Sequence, residues 1–333
     1  MKKDLTFEFV KQMLENDELV DLSEFKSISD DASKLFENYD SYLTLDGLIS
    51  FSDNSARSLV KNLRGRLSLN GLINISDTTI KILASHNSTL SLDGIKTLSN
   101  IAAQALGGHN GYLTLDGLKS ISIECAEALS SHRGGLSLSR LKSISIECAE
   151  ALSSHRGGLS LNGLTTISAD VANLLTKENY SLSLNGLKSL SKEVAFILSK
   201  LKNNLILNGL KSLSVSVAEA LSSHEGHLKL NGLITISDSV AEKLARHKGI
   251  LMLNGLITVS DRVAESLSML RAPLYLDGLK QISESIAGHL SMHRYFLSLN
   301  GLEKISNSSA LILNKHPNKS LHLENLIANI KSK

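Results

Sequence analysis

Eight of the eleven histidines recur at one place in a 23-residue repeat: His86, His109, His132, His155, His224, His247, His293 and His316. A row of imidazoles invites metal binding, but a structural zinc site needs four ligands converging on one ion. One ring per repeat, with no second ligand at fixed spacing, does not build that set. The expected role is structural, a ring at a helix C-terminus bonding the last carbonyls or the next loop. Glu178, Leu201 and Leu270 stand at the same place, so the imidazole is replaceable. The two cysteines, Cys125 and Cys148, also lie one repeat apart. Packed helices about 8–10 Å apart hold such residues beyond the roughly 7 Å between Cα atoms that a disulfide spans. Both thiols are expected to be free, buried and inert, because a nucleophile needs a base and an acid placed beside it. No catalytic set converges anywhere, so the chain is read as non-enzymatic, without metal or cofactor.

Lys96, Lys119, Lys142, Lys188, Lys211 and Lys280 share position 7 of the repeat and form a basic row. Acids at positions 11, 12 and 15 run parallel to it, which predicts a self-neutralising edge. The formal charge of +2 over 333 residues is near balance, and 4% aromatics leave no platform for stacking bases. Nucleic acid is therefore not an expected partner. No run approaches the ~18 apolar residues of a membrane span, and the start lacks the apolar core of a signal peptide. These features predict a soluble, cytoplasmic monomer. Self-association through the end units and signal-less secretion into a host cell stay open.

The elements that position these residues follow from the repeat itself. Twelve full units start at 43, 67, 90, 113, 136, 159, 182, 205, 228, 251, 274 and 297, with the consensus L-x-L-[ND]-G-L-x-x-[IL]-S-x-x-[VC]-A-x-x-L-x-x-H-x-G-x. Leu at positions 1 and 3 around a polar residue predicts a short strand with one face buried. Asn-Gly or Asp-Gly at positions 4 and 5 predicts a tight turn using positive φ. Ser at position 10, often followed by an acid, predicts a helix N-cap. Apolar or small residues at 13, 14 and 17 then face a core, and His-x-Gly ends the helix. The stretch LKSISIECAEALSSHRGGLSL occurs verbatim at 118–138 and 141–161, separated by Ser139 and Arg140. Arg140 takes the place of the turn glycine, so a local irregularity is expected there.

One unit cannot bury its own leucines, so units must stack. Strands pack about 4.8 Å apart and helices about 8–10 Å, and the inequality bends the stack. The expected fold is an α/β curved solenoid with a parallel sheet on the concave side and short helices on the convex side. Residues 1–42 are read as an N-terminal cap of a helix plus a degenerate repeat, 43–320 as the array, and 321–333 as a C-terminal half-repeat cap.

The consensus resembles the leucine-rich repeat. LKLNGLITISDSVAEKLARHKGIL at 228–251 is similar to the cysteine-containing subclass. Leu233 stands at that subclass's first Cys, Ile236-Ser237-Asp238 at its Ile-Thr-Asp, and His247 at its second Cys. The resemblance implies a curved solenoid that binds proteins, sometimes as the substrate-receiving half of an adaptor or as a secreted effector.

On the concave face, position 2 carries Thr44, Ser68, Ser91, Thr114, Ser137, Ser160 and Ser183, then changes to Ile206, Lys229, Met252 and Tyr275. Four successive rungs that exchange a hydroxyl for a large side chain make a candidate contact patch, flanked by Asn208, Asn231, Asn254 and Asp277. The competing reading of those four positions is drift on an exposed face. The expected function is a protein–protein interaction scaffold with a partner of unknown identity. The alternative is a solenoid whose Ser/Thr and Asn/Asp ladders meet a repetitive target such as a glycan.

Overall fold

The computed structural model describes residues 3–16, 20–36, 39–177 and 181–316, with the side chain of Asn62 excepted. Glu178 and the expected half-repeat at 321–333 lie outside the described residues. The chain divides into two compact units, Met1–Gly163 and Leu164–Lys333.

In the first unit, the strand Lys3–Leu5 pairs in parallel with Phe25–Ile28, and the helix Phe7–Glu15 lies between them in sequence. Phe9 and Phe25 rings meet at 4.8 Å. Then follow the two-residue strands Leu43–Thr44, Leu67–Ser68, Leu90–Ser91, Leu113–Thr114, Leu136–Ser137 and Leu159–Ser160, parallel and in register, Leu opposite Leu. The second unit repeats the plan with Leu182–Ser183, Leu205–Ile206, Leu228–Lys229, Leu251–Met252, Leu274–Tyr275 and Leu297–Ser298. A short helix follows each strand, so each unit is an α/β solenoid of leucine-rich repeats.

The rung from Leu228 illustrates how the sequence makes this shape. Leu228, Leu230 and Leu233 are fully buried, as are Val240, Ala241 and Leu244 on the helix Asp238–Leu244. Each large aliphatic residue stabilises by roughly 1.5–3 kcal/mol on burial. Ser237 caps the helix by accepting the Val240 N–H at 3.3 Å, and Ser260 does the same for Val263 at 3.1 Å. Such caps are each worth about 1 kcal/mol. Between rungs, the Leu228 N–H donates to the Ile250 carbonyl at 2.8 Å and Leu230 N–H to Met252 at 2.9 Å.

The glycines work differently from the sequence-based expectation. The turn glycines Gly71, Gly94, Gly117, Gly209, Gly232, Gly255 and Gly278 and the return-loop glycines Gly134, Gly157, Gly226 and Gly249 do not have φ in the left-handed region. They are required because rungs approach closely: a β-carbon on Gly232 would overlap the Asn208 carbonyl, and one on Gly157 the Gly134 carbonyl. Arg140 is likewise milder than expected. The strands on either side of it keep their register, and its side chain is exposed. At Gly163 the Ser139 carbonyl lies 2.7 Å from an added β-carbon, against 2.0–2.5 Å for the equivalent carbonyl at Gly71, Gly94, Gly117, Gly209, Gly232, Gly255 and Gly278.

Candidate functional site

The outward face of the strands carries a polar ladder that runs from rung to rung through position 4. Asn208 N–H donates to Asn185 Oδ1 at 2.8 Å, Asn231 to Asn208 at 2.9 Å, Asn254 to Asn231 at 2.9 Å and Asp277 to Asn254 at 3.1 Å. The first unit has the same device, with Asn70 N–H on Asp46 at 2.9 Å and Asp116 on Asp93 at 2.7 Å. Strand ends leave backbone donors that must be satisfied, and this side chain satisfies one per rung. The four residues read from the sequence as flanking contacts, Asn208, Asn231, Asn254 and Asp277, are thus ladder members first.

Serines at position 2 join the same ladder. Ser68 Oγ donates to Asp46 at 2.6 Å, Ser91 to Asn70 at 2.8 Å, Ser137 to Asp116 at 2.6 Å and Ser298 to Asp277 at 2.5 Å. These hydroxyls are buried rather than presented. At these four rungs the hydroxyl is turned into the ladder, whereas Thr44, Thr114 and Ser160 are half-buried.

Ile206, Lys229, Met252 and Tyr275 are brought together as the sequence suggests. They pair directly across adjacent strands, Ile206 with Lys229, Lys229 with Met252, and Met252 with Tyr275, and all four are half-buried. Three strand spacings make the row about 14 Å long. Their arrival also changes the ladder. Asn70 Nδ2 donates to Ser68 Oγ at 2.9 Å and Asn185 Nδ2 to Ser183 Oγ at 3.1 Å. In the rungs of Asn208, Asn231 and Asn254 the hydroxyl is gone, and among the described residues no acceptor meets those three amides.

A second column escaped the sequence analysis. The residue just before the first Leu of each strand lies on the same side as position 2, because side chains alternate. Here this column reads His227, Ile250, Pro273 and Phe296, whose carbonyls accept from Leu205, Leu228, Leu251 and Leu274. Phe296 is exposed, and its ring lies 5.4 Å from that of Tyr275. Extending the strand alternation one residue backwards would have found it. The patch is thus two columns wide, with Met252, Tyr275, Ile250, Pro273 and Phe296 as its apolar part.

Asn231 offers a clean separation of scaffold from contact. Asn231→Ala removes the acceptor of the Asn254 N–H and is expected to cost about 1–3 kcal/mol in urea unfolding. Asn231→Asp keeps Oδ1, as Asp46 and Asp93 do, and is expected to unfold near the wild-type midpoint while losing the unpaired amide donor. Equal losses in both variants would contradict this account of the ladder.

The histidine ladder is buried at the helix ends. Imidazoles stack between neighbouring rungs, His109 on His132 at 5.8 Å, His132 on His155 at 6.0 Å and His224 on His247 at 5.8 Å. The His132 Nδ1–H donates to the His109 carbonyl at 2.8 Å and that of His224 to Ser199 at 3.3 Å. Burial pushes the pKa of these rings down, to about 4 for His155 and His247, with the adjacent imidazole adding to the shift. Among the described residues no group of three His, Cys, Asp or Glu side chains could hold a metal ion. Cys125 and Cys148 are buried free thiols, Cys125 Sγ lying 3.4 Å from the Leu98 carbonyl. The position 7 lysines are exposed, and Lys280 pairs with Glu303 at 2.8 Å. No described helix is long and apolar enough to cross a membrane.

No family model matches the chain, and no curated protein matches it. Among solved structures, it is similar to a leucine-rich-repeat protein of Leptospira interrogans, with 17% identity over 89% of this chain and 76% of that one, TM-score 0.39. An internalin (inlF) of Listeria monocytogenes gives 16% identity over 95% and 94%, TM-score 0.43. The yeast Rad7–Elc1 complex gives 15% identity over 91% and 84%, TM-score 0.47.

Proposed function

We propose that this chain is a non-enzymatic interaction scaffold that binds a partner protein on the strand face of its second unit. The observation that carries the reading is the break in the polar ladder: Ile206, Lys229, Met252 and Tyr275 stand where Ser68, Ser91, Ser137, Ser183 and Ser298 tie a hydroxyl into the face. They leave three amides without acceptors beside an apolar double column. Aromatic and Met side chains beside amide donors open to solvent fit a protein surface, which supplies both apolar groups and carbonyls. The buried, ladder-bound hydroxyls of Ser68, Ser91 and Ser137 favour this over a repetitive glycan target. Residues 1–42 act in this reading as an N-terminal cap, and the half-repeat at 321–333 as the other end.

The test is affinity capture from the native lysate with the full chain and with a Met252→Ala, Tyr275→Ala variant. Neither side chain is fully buried, so the variant is expected to melt within a few degrees of wild type. It is expected to lose a protein that wild type retains at least tenfold better. Equal recovery of every protein by a folded variant would remove the strand face from consideration.

A further inference from the structure

The duplicated stretch of the first unit places one arginine beside its own copy. Arg133 and Arg156 both fall at position 21, directly after the histidines at the helix ends. Together with Ser130, Ser131, His132 and Ser154 they line a groove of about 430 Å³ on the return-loop edge. His132 and His155, the residues before them, stack with ring centroids 6.0 Å apart, which gives the rung spacing at this edge. Both arginines are exposed, and no carboxylate lines the groove among the described residues.

An arginine at a helix end ordinarily answers the unsatisfied carbonyls and the helix dipole. Here serines answer those carbonyls. Ser130 Oγ donates to the Glu127 carbonyl at 2.7 Å and Ser131 to Ala128 at 2.6 Å. In the copy, Ser153 donates to Glu150 at 2.7 Å and Ser154 to Ala151 at 3.0 Å. Among the described residues neither Arg133 nor Arg156 has a hydrogen-bonding or ionic partner.

The second unit shows what this spacing permits. Glu225 and Lys248 stand at position 21 of adjacent rungs and meet as an ion pair at 3.4 Å. Side chains at this position therefore reach one another across one rung. Where both are arginines, the same meeting place has two cations and no anion from the chain itself. Arg271 and Arg294 repeat the arrangement, but Arg294 already has a partner and Glu265 lines their groove. Arg133 and Arg156 are the pair left open.

We infer that Arg133 and Arg156 clamp one phosphate dianion between them, free or as a phosphomonoester. Two guanidinium forks carry two positive charges and offer paired N–H donors to a group with several acceptor oxygens, at about 2.7–2.9 Å. A carboxylate, with one charge and two oxygens, is matched by a single fork. The serine hydrogens are committed to the helix ends, so the arginines are the donors.

The full chain, labelled with nitrogen-15 at arginine, is titrated with sodium phosphate at about pH 7.5, where phosphate is largely dianionic. Ionic strength is held constant and the guanidinium Nε–Hε signals are followed by NMR. Saturable shifts of the Arg133 and Arg156 signals together are expected. Because one anion needs both forks, Arg133→Gln should weaken binding at least tenfold and silence the response of Arg156, and Arg156→Gln should do the converse. A short uncharged peptide bearing one phosphoserine is expected to saturate the same two signals. Which probe binds more tightly separates a free anion from one carried on a chain. Acetate is expected to move neither signal. The Met252→Ala, Tyr275→Ala variant should respond like wild type, so a failure of the strand face leaves this site standing. Circular dichroism melts confirm that each variant is folded, as substitutions at exposed positions should allow. The inference is overturned if phosphate gives no saturable shift, if acetate matches it, or if either arginine responds alone once the other is replaced.

Discussion

Acidification from pH 7.5 to 4.5 is expected to destabilise this chain strongly, and the cause is the buried imidazole stack. Rings such as His132, His155, His224 and His247 are buried, and each has its pKa lowered chiefly by burial. An unfolded imidazole titrates near 6.5, so below that pH the unfolded chain binds more protons than the folded one. Stability is therefore complete above about pH 6.5 and is lost as pH falls toward the folded values. For His155 and His247, which titrate at about 4, the loss by pH 4.5 is on the order of 2–3 kcal/mol each. The remaining lowered rings add to it. Urea midpoints measured from pH 7.5 to 4.5 should fall steeply below about pH 6.5.

Leu201 and Leu270 occupy the same place and are buried, so leucine fits there. His155→Leu and His247→Leu should accordingly flatten the pH profile and gain on wild type at pH 5. A profile as steep in the double variant as in wild type would show that other groups carry the acid sensitivity.

The second large effect is expected from Leu230→Ala. Leu230 is fully buried between neighbouring rungs, and such a truncation costs about 2–5 kcal/mol because the cavity cannot close around a rigid stack. In a solenoid each rung contacts only its neighbours. Amide exchange should therefore accelerate at Leu228, Leu230 and the adjoining strands Leu205–Ile206 and Leu251–Met252. Amides two rungs away, at Leu182 and Leu274, should lose less protection. A uniform acceleration over all strands would contradict nearest-neighbour coupling.

Much of this molecule is legible residue by residue. Leu at positions 1, 3 and 6 and Ser at position 10 read directly as buried strand, turn and N-cap. Those roles are local, set by side-chain alternation, helix periodicity and one capping bond, and the same local choice recurs at every rung. The buried thiols and the histidines at the helix ends were also readable, since their neighbours are fixed by the repeat. What tertiary structure alone decided lies between rungs. The Asn/Asp side chains are ladder acceptors, the serines donate back into that ladder, and the glycines make room for a carbonyl of the preceding rung rather than for a positive φ. Each of these depends on a residue some 23 positions away in the chain, brought near only by stacking. The same holds for the Phe296 ring against Tyr275 and for Arg133 beside Arg156 in one groove. A single unit's sequence specifies a rung, whereas the ladder and the face it builds exist only once rungs are placed side by side.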